Sequence, residues 1–223
     1  MTLARWIVRP LYWALFWPRV YGRDNLLEFR RGAVVLASNH IHPLDAATLG
    51  VLGARNLHFL SKADLGQGAI GLLFRHFDLI FVDRDVTNNA VSAAEKYLRR
   101  GMAVAIFPEG TCSTERKQPD ELLPFKYGAV KMALATGAPI VPMGIAGNYR
   151  PFSRLQVRFG RPLYFAKNLS LDEANERLRD AVAQLLEQSS LKVRKIPGRP
   201  AKNPSKDPPI LDQKFKSKEK RNG

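Results

Sequence analysis

Short apolar runs alternate with longer amphipathic segments along most of this chain, and that alternation limits the fold more than any other feature. Six runs read as strands: Ala33–Ala37, Leu57–Leu60, Leu79–Val82, Ala103–Phe107, Ile140–Gly144 and Leu155–Phe159. Helical spacing falls at Leu44–Leu52, Ile70–Phe77, Asn88–Arg100, Tyr127–Ala135 and Leu171–Gln188. Nearly continuous apolar runs of about five residues suit strands covered on both faces, and the helices supply the crossovers that parallel pairing requires. The expected fold is α/β, a largely parallel mixed sheet flanked by helices. No internal repeat is visible, and no glycine-rich nucleotide fingerprint follows a strand.

The charge is unevenly placed. The 223 residues carry a formal net charge of +15, with 35 Lys+Arg against 20 Asp+Glu. Residues 1–31 hold six arginines and two acids, and residues 191–223 hold eleven basic residues and three acids. Residues 32–190 are therefore close to balanced, and they form the expected catalytic-size domain. The last segment sets five prolines among its lysines and arginines with scattered apolar residues, a composition that cannot offset the entropy of ordering. It reads as a disordered basic tail, able to meet anionic lipid or to act only as a solubilising extension.

The first segment is aromatic instead. Trp6, Trp13 and Trp17 are the chain's three tryptophans. At about 100° per residue, Trp13 and Trp17 fall within roughly 20° of Trp6 on a helix. Indoles with Arg5 and Arg9 alongside are the composition of an amphipathic helix lying at a bilayer interface, although an ordinary aromatic helix packed on the core has the same residues. The apolar run Leu11–Trp17 is far short of the roughly 20 residues that span a bilayer. A secretory leader fits poorly, because Trp-Pro-Arg-Val-Tyr stands where small residues should precede cleavage. One cysteine excludes a disulfide framework, and four histidines without a second cysteine make no structural zinc site, so no metal is expected.

In α/β sheets the chemistry gathers just past the C-terminal ends of strands. After the first strand comes Ser38-Asn39-His40-Ile41-His42-Pro43-Leu44-Asp45. Pro43 disfavours helix at His42 and suits the first turn of a following helix, leaving His40 in a loop and Asp45 in that first turn. The Asp45 carboxylate can then fold back onto one His40 nitrogen, leaving the other to serve as a general base. Taken alone, the spacing equally describes a structural His–Asp hydrogen bond. No serine sits in a nucleophile-elbow context, so a base here would activate a substrate hydroxyl. After the third strand, Arg84 between Asp83 and Asp85 suits bidentate phosphate contact or a surface ion pair. After the fourth, Glu109, Gly110 and Thr111 offer a close backbone approach and a hydroxyl, and Lys126 opens the next helix with positive potential.

These blocks, in this order, resemble the glycerolipid acyltransferases of the 1-acylglycerol-3-phosphate acyltransferase (PlsC-like) family. Asn39-His40 through Asp45 resembles its NHxxxxD motif, and Phe81-Val82-Asp83-Arg84 its phosphate-binding block. Phe107-Pro108-Glu109-Gly110-Thr111 resembles FPEGT, followed by Phe125-Lys126-x-Gly128-Ala129, and Val141-Pro142 resembles the block on the acyl-chain side. The resemblance covers residues 31–144 and implies His40 and Asp45 as a base pair, with Asn39, Arg84, Glu109, Gly110, Thr111 and Lys126 binding substrate. It implies transfer of a fatty acyl group from acyl-CoA or acyl-carrier protein to a lysophospholipid, most of all 1-acyl-glycerol-3-phosphate giving phosphatidic acid. No cofactor is implied. Cys112 replaces the arginine that commonly follows FPEGT, a version that resembles acyltransferases for other lysophospholipids or glycerol-3-phosphate. His42 reads as a variable loop residue. The expected partner is a phospholipid surface, at the cytoplasmic face of a membrane, met peripherally or monotopically. A nucleic-acid partner is not expected, because the core is nearly balanced. A non-catalytic lipid-binding protein would keep the basic ends yet need no His40/Asp45 pair.

Overall fold

Seven strands form one mixed sheet in the computed structural model, which describes residues 3–52, 57–62, 79–82, 87–112, 122–166 and 168–193. In chain order the elements are α1 (Leu3–Phe16), β1 (Arg19–Tyr21), α2 (Asp24–Leu27), β2 (Val34–Ser38), α3 (Asp45–Leu52), β3 (Leu57–Lys62) and β4 (Leu79–Val82). They continue with α4 (Thr87–Arg99), β5 (Ala103–Ile106), α5 (Gly128–Thr136), β6 (Ile140–Ala146), β7 (Gln156–Phe159) and α6 (Leu171–Val193). The strand order is β1-β7-β6-β2-β5-β3-β4. Every pair is parallel except β6 with β7. The expected α/β class, a largely parallel mixed sheet with flanking helices, is what the chain forms.

The apolar runs form strands because both faces of the sheet are covered. Val34 and Leu36 of β2, Ala103 and Ala105 of β5, and Val141, Met143 and Ile145 of β6 pack on one face with Tyr12 of α1 and Leu49 and Leu52 of α3. Val35, Ala37, Val104 and Ile140 pack on the other, beneath α4, α5 and α6. The side-chain alternation of a strand thus divides one apolar run between two cores. Each fully buried valine, leucine or isoleucine contributes about 1.5–3 kcal/mol, so the three central strands β6, β2 and β5 anchor the site.

The expected strands appear within two residues of their bounds. The helix expected at Ile70–Phe77 lies outside the described residues. Two elements were not expected. β1 has one aliphatic residue and no alternation; it exists because the sheet edge offers partners, with Arg19 pairing Gln156 and the Arg19 amide donating to Leu155 O at 2.7 Å. α2 is a four-residue turn of helix.

The N-terminal segment is part of the same body, since Tyr12 is buried and β1 joins the sheet. Trp13 packs against the core, while Trp17 lies past the end of α1, 63% exposed, with φ 39. The Trp6 side chain lies outside the described residues. α1 turns Tyr12 inward, where its hydroxyl meets that of Thr48 on α3. At the other end, α6 runs to Val193, three residues beyond the expected domain boundary; the rest of the basic tail lies outside the described residues. Among the described residues no helix is long and apolar enough to cross a membrane.

Candidate active site

The strand order itself creates the crevice. From β2 the chain crosses through α3 to β3, on the far side of β5. From β5 it crosses through α5 to β6, on the far side of β2. The loops after β2 and β5 therefore leave neighbouring parallel strands in opposite directions and over opposite faces, which is a topological switch point. Residues 39–45 and 107–112 meet there, and residues 147–149 leave the end of β6 beside them.

His40 and Asp45 come together as expected. His40 Nδ1 lies 2.8 Å from Asp45 Oδ2. The same oxygen accepts the backbone N–H of Ile41 at 2.7 Å and of His42 at 2.8 Å. An oxygen that receives two backbone N–H donors is an acceptor, so Nδ1 carries its proton and the Nε2 of neutral His40 carries the lone pair. Asp45 is wholly buried in the first turn of α3, and the loop that leads into that helix supplies the two amides. The His40 side chain keeps 17% exposure, and its ring stacks on Phe107 at 4.1 Å with planes 11° apart. The pair is a buried acid holding an accessible imidazole in one tautomer.

The neighbouring residues hold the loops. Asn39 donates its amide to Ile145 O at 2.9 Å and accepts from the Ile145 amide at 2.8 Å, tying the β2 loop to β6. Glu109, almost fully buried, accepts the His40 amide at 2.9 Å and the Leu123 amide at 3.3 Å. Both side chains were expected at substrate; the structure engages Asn39 with the main chain of β6 and Glu109 with the His40 and Leu123 amides. Gly110 has φ +71, and a Cβ there would meet the Lys126 side chain at 2.9 Å, so the lysine lies directly over the glycine turn. The Lys126 amide donates to Pro108 O at 2.8 Å, and Thr111 is exposed beside it. Val141 and Pro142 are buried within β6, with Val141 in the core that α1 and α3 cover. Arg84 lies outside the described residues. Among the described residues, no three His, Cys, Asp or Glu side chains are grouped to hold a metal ion.

Sequence reasoning missed Tyr149. Its hydroxyl donates to Asp45 Oδ1 at 2.6 Å, and its ring stacks on His42 at 4.6 Å. Tyr149 follows the end of β6 by three residues, so the strand-end rule that found His40 also applies to it. Burial, then the Asp45 charge, pushes the Tyr149 phenol well above its ordinary range. Burial likewise pushes Tyr12 up to about 12. Both phenols keep their protons and remain donors.

A model of the family described as Acyltransferase matches residues 18–146, more than half of the chain. The chain belongs to the acyltransferase family. The matched span runs from β1 to the end of β6 and contains His40, Asp45, Glu109 and Lys126. This acyltransferase-family chain is 32% identical over 133 residues to a 1-acyl-sn-glycerol-3-phosphate acyltransferase alpha of Mus musculus, covering 57% of this chain and 45% of that protein. It is 32% identical over 132 residues to a 1-acyl-sn-glycerol-3-phosphate acyltransferase of Bacillus subtilis, covering 58% of this chain and 62% of that one. Both matches span less than two thirds of the relative's own length. The fold resembles the crystal structure of the 1-acyl-sn-glycerophosphate acyltransferase PlsC from Thermotoga maritima, with a TM-score of 0.67 over 86% of this chain and 80% of that one, at 22% identity.

Proposed function

We propose that this acyltransferase-family chain transfers a fatty acyl group from an acyl thioester to the hydroxyl of a lysophospholipid, with 1-acyl-glycerol-3-phosphate as acceptor and phosphatidic acid as product. The observation that carries the reading is the His40–Asp45 hydrogen bond at the switch point of a chain in this family. Nε2 of His40 takes the proton from the acceptor hydroxyl as its oxygen attacks the thioester carbonyl carbon. The tetrahedral intermediate collapses, the carbon–sulfur bond breaks, and the proton passes from His40 to the departing thiolate. An ester and a free thiol result, without an acyl-enzyme. Asp45 stabilises the imidazolium that forms between the two transfers.

Acyl-CoA or acyl-carrier protein is the donor substrate, and the reaction as written uses no cofactor or metal. Lys126 above the Gly110 turn supports a phosphate contact beside Thr111, with Arg84 assigned to the same headgroup and Val141 and Pro142 to the acyl-chain side. Asn39 and Glu109 serve by fixing the loops that carry these groups. Acceptor and product both reside in bilayers, so the enzyme works peripherally at an anionic membrane surface, on the cytoplasmic face. Exposed Leu11, Trp17 and Phe152, with Arg19, Arg150 and Arg154 nearby in sequence, support that contact.

Free-thiol release tests the reading, with acyl-CoA and acyl-carrier protein each offered lysophosphatidic acid, lysophosphatidylcholine and glycerol-3-phosphate. The account expects release with lysophosphatidic acid. Cys112 after Thr111 favours a second acceptor, another lysophospholipid or glycerol-3-phosphate, and faster release with either selects that alternative. Absence of release with every pair overturns acyl transfer in favour of lipid binding alone.

A further inference from the structure

Three hydroxyl groups connect the first helix to the Asp45 carboxylate. Tyr12 Oη lies 2.5 Å from Thr48 Oγ1, which lies 2.7 Å from Tyr149 Oη, which lies 2.6 Å from Asp45 Oδ1. Each hydroxyl has one proton to give. The carboxylate oxygen only accepts, so Tyr149 gives its proton to Asp45. Tyr149 then accepts from Thr48, and Thr48 accepts from Tyr12. The other use of the Thr48 proton, on Leu44 O, is the longer contact at 3.1 Å. All three O–H bonds point toward the carboxylate, an order in which each bond polarises the next.

The geometry explains what such a relay does. Two backbone amides and His40 meet Oδ2, while Tyr149 meets Oδ1. With both oxygens engaged from different sides, the carboxylate plane cannot turn about its Cβ–Cγ bond. The Nδ1–H of His40 then stays aligned. Tyr149 is itself held by α1. The Phe152 amide donates to Leu15 O at 2.6 Å and the Leu155 amide to Phe16 O at 3.2 Å, using carbonyls that the end of a helix leaves unpaired. The Phe16 ring meets the Tyr149 ring edge-on at 5.4 Å. This loop also contains Phe152 and Arg154 at φ 65 and 59, a conformation that persists only where the surroundings enforce it.

We propose that Tyr149 is a positioning residue for the His40–Asp45 pair, and that the Tyr12–Thr48–Tyr149 relay makes the docking of α1 set the orientation of Asp45. The role rests on His40 being the base of the proposed reaction. It goes beyond that reading by giving α1 a part in the chemistry. The raised phenol values of both tyrosines agree with it, since each remains a donor throughout the working pH range.

Tyr149→Phe is the test, because it keeps the ring against His42 and Phe16 and removes only the hydroxyl. The expected result is a kcat lowered about tenfold, with KM for donor and acceptor within about twofold. Proton NMR of the full chain should show the His40 Nδ1–H resonance displaced or broadened. Thr48→Val should do the same to a smaller degree, and Tyr12→Phe to a smaller degree again. An unchanged Nδ1–H resonance in Tyr149→Phe overturns the proposal, whatever happens to thermal stability. A rise in KM at unchanged kcat also overturns it. Full activity in His40→Ala would instead sink the base reading, while the resonance would still decide whether the relay orients the pair.

Discussion

Glu109 is the residue through which two site loops are joined, and its removal has a calculable cost. Its oxygens accept the His40 amide at 2.9 Å and the Leu123 amide at 3.3 Å. Glu109→Ala leaves both N–H groups without that acceptor, at about 1–3 kcal/mol each when water cannot replace it. Both amides are only half-buried, so water recovers part of the loss and a total of roughly 2–4 kcal/mol is expected. Glu109→Gln behaves differently. Its single amide oxygen can stay on His40, the shorter bond, while its NH2 turns two donors toward each other at Leu123. That variant should lose roughly 1–2 kcal/mol, half or less of the alanine cost.

The activities should separate the same way. The glutamine variant keeps the His40 main chain tethered and should retain most of its kcat. The alanine variant frees the loop that carries His40, the proposed base, and should lose about 10–100-fold in kcat. Urea unfolding followed by circular dichroism gives the stabilities, and thiol release at saturating donor and acceptor gives kcat. If Glu109→Ala unfolds within about 0.5 kcal/mol of wild type and turns over at the wild-type rate, the carboxylate does not hold the loop.

Other perturbations address separate parts of the structure. The Tyr12 phenol holds its proton to about 12 in the folded chain against 10.0 unfolded, so the stability it contributes is complete below pH 10 and lost as pH rises from 10 to 12. That loss is about 2–3 kcal/mol at most. Phenolate absorbance of the native protein should show a late phase that Tyr12→Phe and Tyr149→Phe diminish; titration of all six tyrosines together near pH 10 would contradict the burial. Gly110→Ala must strain a left-handed φ by about 1–2 kcal/mol and displace Lys126, so acceptor KM should rise with thermal stability reduced, and wild-type values for both would refute the close approach. Leu11→Glu with Trp17→Glu alters exposed side chains only, and co-sedimentation with anionic vesicles should fall while circular dichroism stays the same; undiminished sedimentation would contradict surface docking.

Some of this was legible in the chain and some was not, for physical reasons. β2 could be read directly, because Val34, Val35, Leu36 and Ala37 are apolar on both faces and only a covered sheet uses such a run. His40 and Asp45 could also be read, because Pro43 forces a turn and their partners are five residues apart. Tyr149 touches the same carboxylate from 104 residues away, a contact fixed by β6 lying beside β2. Asn39 and Glu109 were recognisable as polar groups near chemistry, but the amides they hold belong to Ile145 and to His40 and Leu123, which the strand order brings to them. α1 was legible as a helix, but not which residue it turns inward, for a related reason. Helical projection sorts its side chains by angle, whereas Tyr12 turns inward because Thr48 of α3 offers its hydroxyl a partner.

The central claim is that His40, oriented by Asp45, removes the proton from the acceptor hydroxyl. Its most direct measurement is the initial rate of free-thiol release from acyl thioester with 1-acyl-glycerol-3-phosphate in anionic vesicles, comparing wild type with His40→Ala. The account predicts a fall of roughly 10²–10⁴-fold with an unchanged circular dichroism spectrum. A His40→Ala protein that releases thiol at the wild-type rate would contradict it.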